Sequence, residues 1–194
     1  MKIMVAGLGL IGGSMAKSLN RAGYAVDGLD RPSVQKRAKE LGVIADIAEQ
    51  TSAYDVVFVA LPPDAAMAFM ENNAYKEGAI VADICGVKES IERAILASPR
   101  SFRYVGCHPM AGKEVSGLEN SAETLFDGAS MIITENEQTD AGAVRTLEQL
   151  FREMGFECIK HCSAAYHDTK IAYTSQLAHI VSNAYVKSPA ADGF

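Results

Sequence analysis

The chain has 194 residues, of which 48% are hydrophobic and 22% are charged. This balance is typical of a globular protein with a buried core, and it excludes collagen-like, coiled-coil and disordered sequences as the main class. The 24 acidic and 18 basic residues give a formal net charge of −6. That sign argues against a protein that binds nucleic acid or an acidic membrane surface by electrostatic attraction.

The sequence predicts neither a membrane span nor an export signal. It contains no run of about 18 apolar residues, and its first strand turns to glycine too early for the apolar core of a signal peptide. We therefore expect a cytoplasmic protein. Its cysteines are expected to be free thiols, because the cytosol keeps such groups reduced; they are Cys85, Cys107, Cys158 and Cys162.

Short apolar runs rich in β-branched residues alternate with segments of helix length. The predicted strands are Lys2–Ala6, Ala25–Leu29, Asp55–Ala60, Ala79–Ala82, Arg103–Gly106, Met131–Thr134 and Phe156–Lys160. This alternation predicts an α/β fold, a doubly wound parallel sheet with helices on both faces, over residues 1–160. Runs that are apolar throughout, such as Val56–Ala60, suit strands buried on both sides.

The pattern changes after Ser163, where one long helix is predicted to run to about Lys187 and to end at Ser188 and Pro189. One face is apolar and another polar; the apolar stripe is Tyr166, Tyr173, Leu177, Ile180 and Ala184, and the polar face carries Asp168, Ser175, His179 and Ser182. Because one helix cannot bury such a stripe, we expect residues 163–194 to begin a truncated all-α substrate and dimerisation domain. The intact protein is then expected to be a homodimer.

A glycine-rich turn, Gly7-Leu8-Gly9-Leu10-Ile11-Gly12, joins the first predicted strand to the first helix. In this spacing the first glycine permits a tight turn, the second lets the backbone approach a pyrophosphate, and the third lets helix and strand pack closely. The amino terminus of the following helix attracts phosphate groups. An ordinary glycine-rich turn is the alternative, but the place between strand and helix predicts a Rossmann-type dinucleotide site.

Asp30 ends the second predicted strand, 18 residues after Gly12. A carboxylate there accepts hydrogen bonds from a ribose 2′-hydroxyl and repels a 2′-phosphate, which favours NAD as the cofactor. Arg31 leaves NADP as the alternative, because it could pair with that phosphate, although a solvated surface charge suits Arg31 better. Leu61 and Pro62 follow the third strand and are predicted to line the cofactor, with a helix-starting proline turn as the alternative.

His108 follows the fifth predicted strand, in a segment rich in proline and glycine. An imidazole with its ordinary pKa of about 6.5 can accept the proton of an alcohol at neutral pH, as hydride removal requires. From the pattern alone, a catalytic base and a structural histidine are both open.

Three blocks together resemble the prephenate and arogenate dehydrogenases of tyrosine biosynthesis. They are Gly7–Ser14, then His108–Gly112 continued by Glu114–Gly117, and finally His167-Asp168 followed by Ser175–His179. The resemblance implies an NAD-dependent oxidative decarboxylation that converts prephenate to 4-hydroxyphenylpyruvate, or arogenate to tyrosine. It also implies that His108 polarises the substrate 4-hydroxyl and that His179 lies beside the substrate; burial at the domain junction is the alternative for His179.

The resemblance further implies a small-molecule substrate that is contacted by Gly86, Lys88, Glu114, Ser175 and Gln176. Gly86 stands where the family often has serine, and Gln176 stands where histidine is common, so the polar lining of the pocket differs. Cys85 could offer a weak donor, but a packed small hydrophobe suits it better. Family members continue into a helical domain with an arginine for the ring carboxylate, so this chain is expected to bind cofactor better than substrate.

Three other functions fit parts of the sequence. A zinc module could use Cys158, His161 and Cys162 with His167, but the second ligand pair typical of structural zinc is missing, and we expect no metal. A cofactor-binding sensor without catalysis fits a truncated chain. Another small-substrate dehydrogenase, such as one of the β-hydroxyacid group, fits the glycine motif but not the His108–Gly112 block.

Overall fold

The structure, a computed structural model, describes the backbone of residues 1–176 and the side chains of residues 1–174. The strands are β1 (Ile3–Ala6), β2 (Val26–Leu29), β3 (Val56–Val59), β4 (Ile80–Asp83), β5 (Arg103–Met110), β6 (Ser130–Thr134) and β7 (Cys158–Cys162). The α-helices of this range are α1 (Leu10–Arg21), α2 (Pro32–Glu40), α3 (Pro63–Asn72), α4 (Glu89–Leu96), α5 (Ala141–Glu153) and α6 (Ala164–Ile171).

The strands form one seven-stranded sheet in the order β2-β1-β3-β4-β5-β6-β7. Strands β1 to β5 are parallel, β6 is antiparallel to β5, and β7 is parallel to β6. The chain leaves β1 for β2 on one side and returns to β3 on the other, so the strand order reverses between β1 and β3. Sheets of this type hold ligands at the carboxyl ends of the strands beside such a reversal.

Apolar side chains cover both faces of the sheet. Every residue of β1, β3 and β4 is buried, and successive residues point to opposite faces. Val5 and Phe58 belong to a cluster that includes Leu147 of α5, whereas Met4 belongs to a second cluster that includes Ile91 of α4. The predicted doubly wound α/β fold is confirmed, but the prediction of a wholly parallel sheet is wrong: β6 is antiparallel to β5, because the segment between them contains no α-helix to carry the chain back across the sheet.

Strand β5 is longer than predicted, because it continues past Gly106 to Met110. Gly106 is the last residue of β5 that pairs with β4, and residues 107–110 pair with β6 alone. Pro109 fits this overhang, because the side of the strand that β4 no longer covers needs no backbone donor. His108 therefore lies within a strand and not in a loop, but still at the carboxyl edge of the parallel sheet.

The last strand and the following helix also differ from expectation. β7 ends at Cys162, two residues past the predicted boundary at 160. α6 starts after Ser163, whose hydroxyl accepts the N–H of Tyr166 at 3.2 Å, and gives way to a π-helical turn at Ala172–Gln176. Such a turn inserts a residue and rotates any following helical face; Leu177 and the rest of the predicted stripe lie outside the described residues.

Within α6 the buried side chains are Ala164, His167 and Ile171, whereas Tyr166 is 56% exposed. Tyr173, in the π-helical turn, is 76% exposed. The two tyrosines of the predicted stripe are thus largely exposed in the described part of the chain. No helix in the described part of the chain is long and apolar enough to cross a membrane.

Candidate active site

The glycine turn after β1 is shaped by two close approaches of backbone to backbone. Gly7 has a φ of +90°, and a Cβ there would lie 2.4 Å from the carbonyl oxygen of Ala60. A Cβ on Gly12 would lie 1.8 Å from the carbonyl oxygen of Gly7. Only glycine fits either place, so the first and third glycines hold the turn against the end of β3.

Gly9, the second glycine, has the opposite character. A Cβ there would meet no atom of the described residues within 4 Å, so the missing side chain leaves open space. Gly9 is also the N-cap of α1, where no side chain from the described residues caps the helix and the first turn carries no acidic residue. Leu10 and Ile11 open that turn, and its N–H groups and positive dipole end suit the phosphates of a dinucleotide.

Asp30 lies beside this turn, as predicted. Its carboxylate accepts the N–H of Leu8 at 2.6 Å and the N–H of Arg31 at 2.6 Å. The side chain of Leu8 is buried in the core, so Leu8 contributes its backbone to anchoring Asp30. The Arg31 side chain is 84% exposed, with its Nε 3.7 Å from Asp30. A ribose approaching this edge would meet a carboxylate that is already held in place.

Leu61 and Pro62 continue the same edge after β3. Pro62 is the N-cap of α3, and the carbonyl of Leu61 lies 3.3 Å from the Sγ of Cys85, in the segment after β4. Burial, together with the charge of Asp83, raises the pKa of Cys85 to about 12. Cys85 is therefore a neutral, packed thiol at pH 7, in keeping with the apolar interpretation of this position.

His108 takes part in a line of three polar side chains. Its Nδ1 lies 2.8 Å from Nε2 of His167, and Nδ1 of His167 lies 2.7 Å from Oδ1 of Asp168. The two carboxylate oxygens of Asp168 also accept the backbone N–H groups of Lys88 and Glu89, each at 2.9 Å. We call His108, His167 and Asp168 the histidine relay; it joins β5, α6 and the start of α4.

Burial decides the charge of His108. It lowers the pKa of His108 to about 4, assisted by the nearby His167 and Lys88 and opposed by Asp168. Burial would raise the pKa of Asp168, but its hydrogen bonds to Glu89, His167 and Lys88 outweigh that effect and hold the pKa below its ordinary value. At pH 7 His108 is thus a neutral acceptor and Asp168 is an anion.

Gly86 lies next to the remaining nitrogen of His108. A Cβ on Gly86 would lie 3.5 Å from His108 Nε2, which is ordinary van der Waals contact. The segment after β4 therefore leaves room in front of this nitrogen, where a serine hydroxyl would otherwise reach toward it. The structure brings together these two residues, which the sequence predicted to share a site.

The environment of Lys88 differs from that expected of a residue that contacts substrate. The Lys88 side chain is 0% exposed, and its ammonium group is bonded to Asp83 and, at 2.8 Å, to the carbonyl of Cys107. The hydroxyl of Tyr104 donates to the second oxygen of Asp83 at 2.6 Å. The physical reason is the β5 overhang: the Cys107 carbonyl has no neighbouring strand on the β4 side, and Lys88 supplies the missing donor.

Sequence reasoning missed four of these residues as site residues, namely Asp83, Tyr104, His167 and Asp168. A signal existed for Asp83, because a carboxylate at the end of an otherwise apolar strand needs a buried partner. For His167 and Asp168 the main signal was their place in a block of the family resemblance, together with the position of Asp168 on the predicted polar helix face. Nothing in the local pattern of Tyr104 distinguished it from a core aromatic residue.

The described structure does not bring the other residues predicted to contact substrate next to His108. Glu114 is exposed in the loop after β5. Ser175 and Gln176 belong to the π-helical turn, but their side chains, like the whole of His179, lie outside the described part. In the zinc alternative, His161 contacts Glu135 and, at 2.9 Å, Glu148. Among residues 1–174, no three His, Cys, Asp or Glu side chains are arranged so that they could hold a metal ion.

Comparisons with known proteins point to one family. Residues 15–160 match the family model described as "Prephenate dehydrogenase, nucleotide-binding domain". The chain is 31% identical to the prephenate dehydrogenase of Bacillus subtilis (strain 168) over 195 residues, which cover 95% of this chain and 52% of that protein. It thus spans about half the length of the curated relatives it matches.

Two solved structures are similar over nearly the whole chain. The prephenate dehydrogenase from Aquifex aeolicus in complex with hydroxyphenyl propionate and NAD⁺ has a TM-score of 0.86 and 28% identity, covering 96% of this chain and 68% of that one. The Synechocystis arogenate dehydrogenase has a TM-score of 0.84 and 29% identity, covering 100% of this chain and 71% of that one. Since the family model covers most of the chain, the protein belongs to the family of prephenate dehydrogenase nucleotide-binding domains.

Proposed function

We propose that this chain is the cofactor-binding part of an NAD-dependent prephenate dehydrogenase, which converts prephenate to 4-hydroxyphenylpyruvate by oxidative decarboxylation. One observation carries the proposal: a neutral, largely buried His108 shares the carboxyl edge of the sheet with an open glycine turn and an anchored Asp30. A proton acceptor and a dinucleotide cradle are the two parts that removal of hydride from an alcohol requires. The names of the relatives support the choice of substrate.

The cofactor site consists of the turn from Gly7 to Gly12, with Asp30 for the adenosine ribose and the edge at Leu61 and Pro62 as a wall. The open side of Gly9 accommodates the pyrophosphate. Asp30 favours NAD, and the exposed Arg31 leaves NADP as the alternative. When bound, the nicotinamide accepts the hydride from the substrate carbon that carries the 4-hydroxyl.

His108 handles the proton in this scheme. As the C–H bond at C4 gives up its hydride, His108 Nε2 takes the proton of the 4-hydroxyl, so that the C–O bond becomes a carbonyl. The bond to the ring carboxylate then breaks, carbon dioxide leaves, and the electron pair of that bond enters the ring. The C4 oxygen takes the proton back from His108 and becomes the phenol. Formation of an aromatic ring drives the sequence, and His108 ends as it began.

Arogenate is the second candidate substrate, because the chain is as similar to the Synechocystis arogenate dehydrogenase as to the prephenate enzymes. The residues proposed to contact either substrate are Gly86, Glu114, Ser175, Gln176 and His179. In this proposal Lys88 does not contact the substrate; it stabilises the strand that carries His108 through its hydrogen bond to the Cys107 carbonyl.

We also propose that the intact protein works in the cytoplasm as a homodimer. An open groove of about 680 Å³ runs between β5–β7 and α6, lined partly by Met110, Ile132 and Tyr166. Exposed apolar surface of this kind suits coverage by more protein, and Tyr173 is a further exposed aromatic side chain. The free thiols of all four cysteines agree with a reducing compartment. Sedimentation of a full-length version as a monomer would contradict the dimer.

The test is a comparison of His108→Ala with His161→Ala, since His161 is an exposed histidine on β7 outside the site. His108→Ala is expected to leave NAD⁺ binding, measured by calorimetry, nearly unchanged and to lower NADH formation from prephenate by about 10²-fold or more. His161→Ala should change neither. Equal turnover of the two variants would remove His108 from the mechanism. NAD⁺ binding by the wild-type chain without turnover of prephenate or arogenate would favour the cofactor-binding fragment.

A further inference from the structure

His108 contacts the rest of the histidine relay through Nδ1. In the proposed function, the other ring nitrogen, Nε2, takes the proton of the substrate hydroxyl. Asp168 is the fixed end of the relay, because the N–H groups of Lys88 and Glu89, at the start of α4, donate to its two oxygens. A carboxylate at this end of a helix also gains from the helix dipole. An ionised Asp168 has no proton to donate, so the 2.7 Å contact with His167 requires a proton on His167 Nδ1.

The hydrogen-bond directions then follow along the line. The His167 side chain is 0% exposed, and its two ring nitrogens contact Asp168 and His108. A His167 that carries only the Nδ1 proton offers a lone pair at Nε2. The 2.8 Å contact between this nitrogen and His108 Nδ1 therefore requires His108 to be the donor. The lone pair of a neutral His108 is left on Nε2, the nitrogen beside Gly86.

We propose that His167 and Asp168 are positioning residues that hold His108 in its Nδ1–H tautomer, with the lone pair of Nε2 presented to the substrate hydroxyl. The role in turnover rests on the proposed function, but the tautomer itself does not. The relay also acts after proton transfer: the positive charge on His108 is stabilised through two successive N–H donations that end on the Asp168 carboxylate. Because His167 is enclosed, water does not compete for either contact.

The position of Asp168 also couples the histidine relay to the segment after β4 that contains Gly86. The same backbone N–H groups that bind Asp168 follow directly after Gly86 and Val87, so the carboxylate ties the loop after β4 to α6. Displacing Asp168 would therefore affect both the tautomer of His108 and the space in front of Nε2. A substitution that preserves the hydrogen-bond pattern should preserve both.

The experiment is nitrogen NMR of the full chain with ¹⁵N-labelled histidine at pH 7, which reports whether each ring nitrogen carries a proton. His108→Asn identifies the His108 signals among those of the four histidines. We expect a protonated Nδ1 and an unprotonated Nε2 on His108. His167→Leu should abolish this preference, whereas His167→Gln should keep it, because the glutamine oxygen can accept at the place of Nε2. His161→Gln is the control and should leave the His108 signals unchanged.

Turnover provides the second measurement. His167→Leu and Asp168→Asn are expected to lower kcat by about 10²- to 10⁴-fold, the range bounded by loss of a general base and loss of a tautomer-fixing carboxylate. NAD⁺ affinity and the urea midpoint of His167→Gln should stay near wild type, and its kcat should exceed that of His167→Leu. A proton on Nε2 of wild-type His108 would overturn the proposal, whatever the activity. The expected tautomer combined with full activity of His167→Leu would overturn its role in turnover.

The two hypotheses can fail separately. The NMR result needs neither substrate nor cofactor, so it tests the relay even in a chain without turnover. Conversely, loss of activity in His108→Ala tests the proposed base without reference to His167. If His167→Leu does not fold, the kcat of Asp168→Asn still tests the role in turnover, since this substitution keeps nearly the same side-chain volume.

Discussion

Replacing Lys88 by methionine removes one partner of a fully enclosed ion pair while keeping most of the side-chain volume. In the wild-type chain the ammonium group binds Asp83 and the Cys107 carbonyl. After the substitution, Asp83 keeps the Tyr104 hydroxyl at 2.6 Å and the Cys85 N–H at 3.0 Å. It remains a buried charge without a counter-ion, and the Cys107 carbonyl loses its donor.

The expected cost is large on the scale of a folded domain. Removing one partner of a buried ion pair costs about 3–5 kcal/mol, whereas total unfolding free energies are about 5–15 kcal/mol. For a chain of this size each kcal/mol lowers the melting temperature by about 2–4 °C, so Lys88→Met should melt roughly 6–20 °C below wild type. We expect this loss because the ammonium group is 0% exposed and no water can replace it.

The assay is urea unfolding of the purified chain, followed by circular dichroism, with free energies from linear extrapolation. Lys39→Met is the matched control, since Lys39 pairs with Asp46 at 2.7 Å while both side chains are more than half exposed. An exposed pair of this kind contributes at most about 1 kcal/mol. The double variant Lys88→Met/Asp83→Asn should recover part of the loss, because it removes the stranded charge.

A loss for Lys88→Met no larger than that for Lys39→Met would refute the reasoning. The same experiment also tests the role predicted for Lys88 from the sequence. A raised KM of Lys88→Met for prephenate with unchanged stability would instead indicate that Lys88 contacts the substrate directly.

Three further predictions concern the histidine and the cofactor site. Because the pKa of His108 is lowered from 6.5 to about 4, the unfolded chain binds a proton at a higher pH than the folded chain does. The contribution of His108 to the free energy of unfolding is therefore complete above pH 6.5 and falls by up to about 3 kcal/mol as the pH drops toward 4. Urea midpoints measured against pH should show this slope, and an equal slope in His108→Asn would contradict it. Gly9→Ala should melt like wild type, because its Cβ meets no described atom within 4 Å, yet bind NAD⁺ at least about tenfold more weakly. Calorimetry measures the NAD⁺ affinity, with Gly112→Ala as the control. Equal NAD⁺ affinities of Gly9→Ala and the wild-type chain would show that the pyrophosphate does not approach Gly9. Asp30→Ala should shift the ratio of NADP⁺ to NAD⁺ affinity at least about tenfold toward NADP⁺ by removing the repulsion of a 2′-phosphate; an unchanged ratio would mean that Asp30 does not face the ribose.

The amino-acid sequence by itself determined the order of strands and helices, the glycine turn and the place of Asp30. Each of these features has a signal in a short stretch of sequence, even where the contact that requires it, such as that of Gly7 with Ala60, is distant along the chain. Apolar β-branched runs favour buried strands, and Gly7 and Gly12 are needed where a Cβ would strike a neighbouring carbonyl. Parallel strands then bring the carboxyl ends of β1, β3 and β4 to one edge, so the cofactor half of the site was predictable without tertiary contacts.

Only the tertiary structure decided the roles of Lys88, His167 and Asp168. The contact of His108 with His167 joins residues 59 apart in the sequence, and that of Lys88 with Asp168 joins residues 80 apart. Which polar groups meet depends on the overhang of β5 and on the packing of α6 against α4, and no local pattern specifies either. The reason is that a buried polar group must find its partner wherever the fold places one out of water, whereas helix and strand preferences act along a few neighbouring residues.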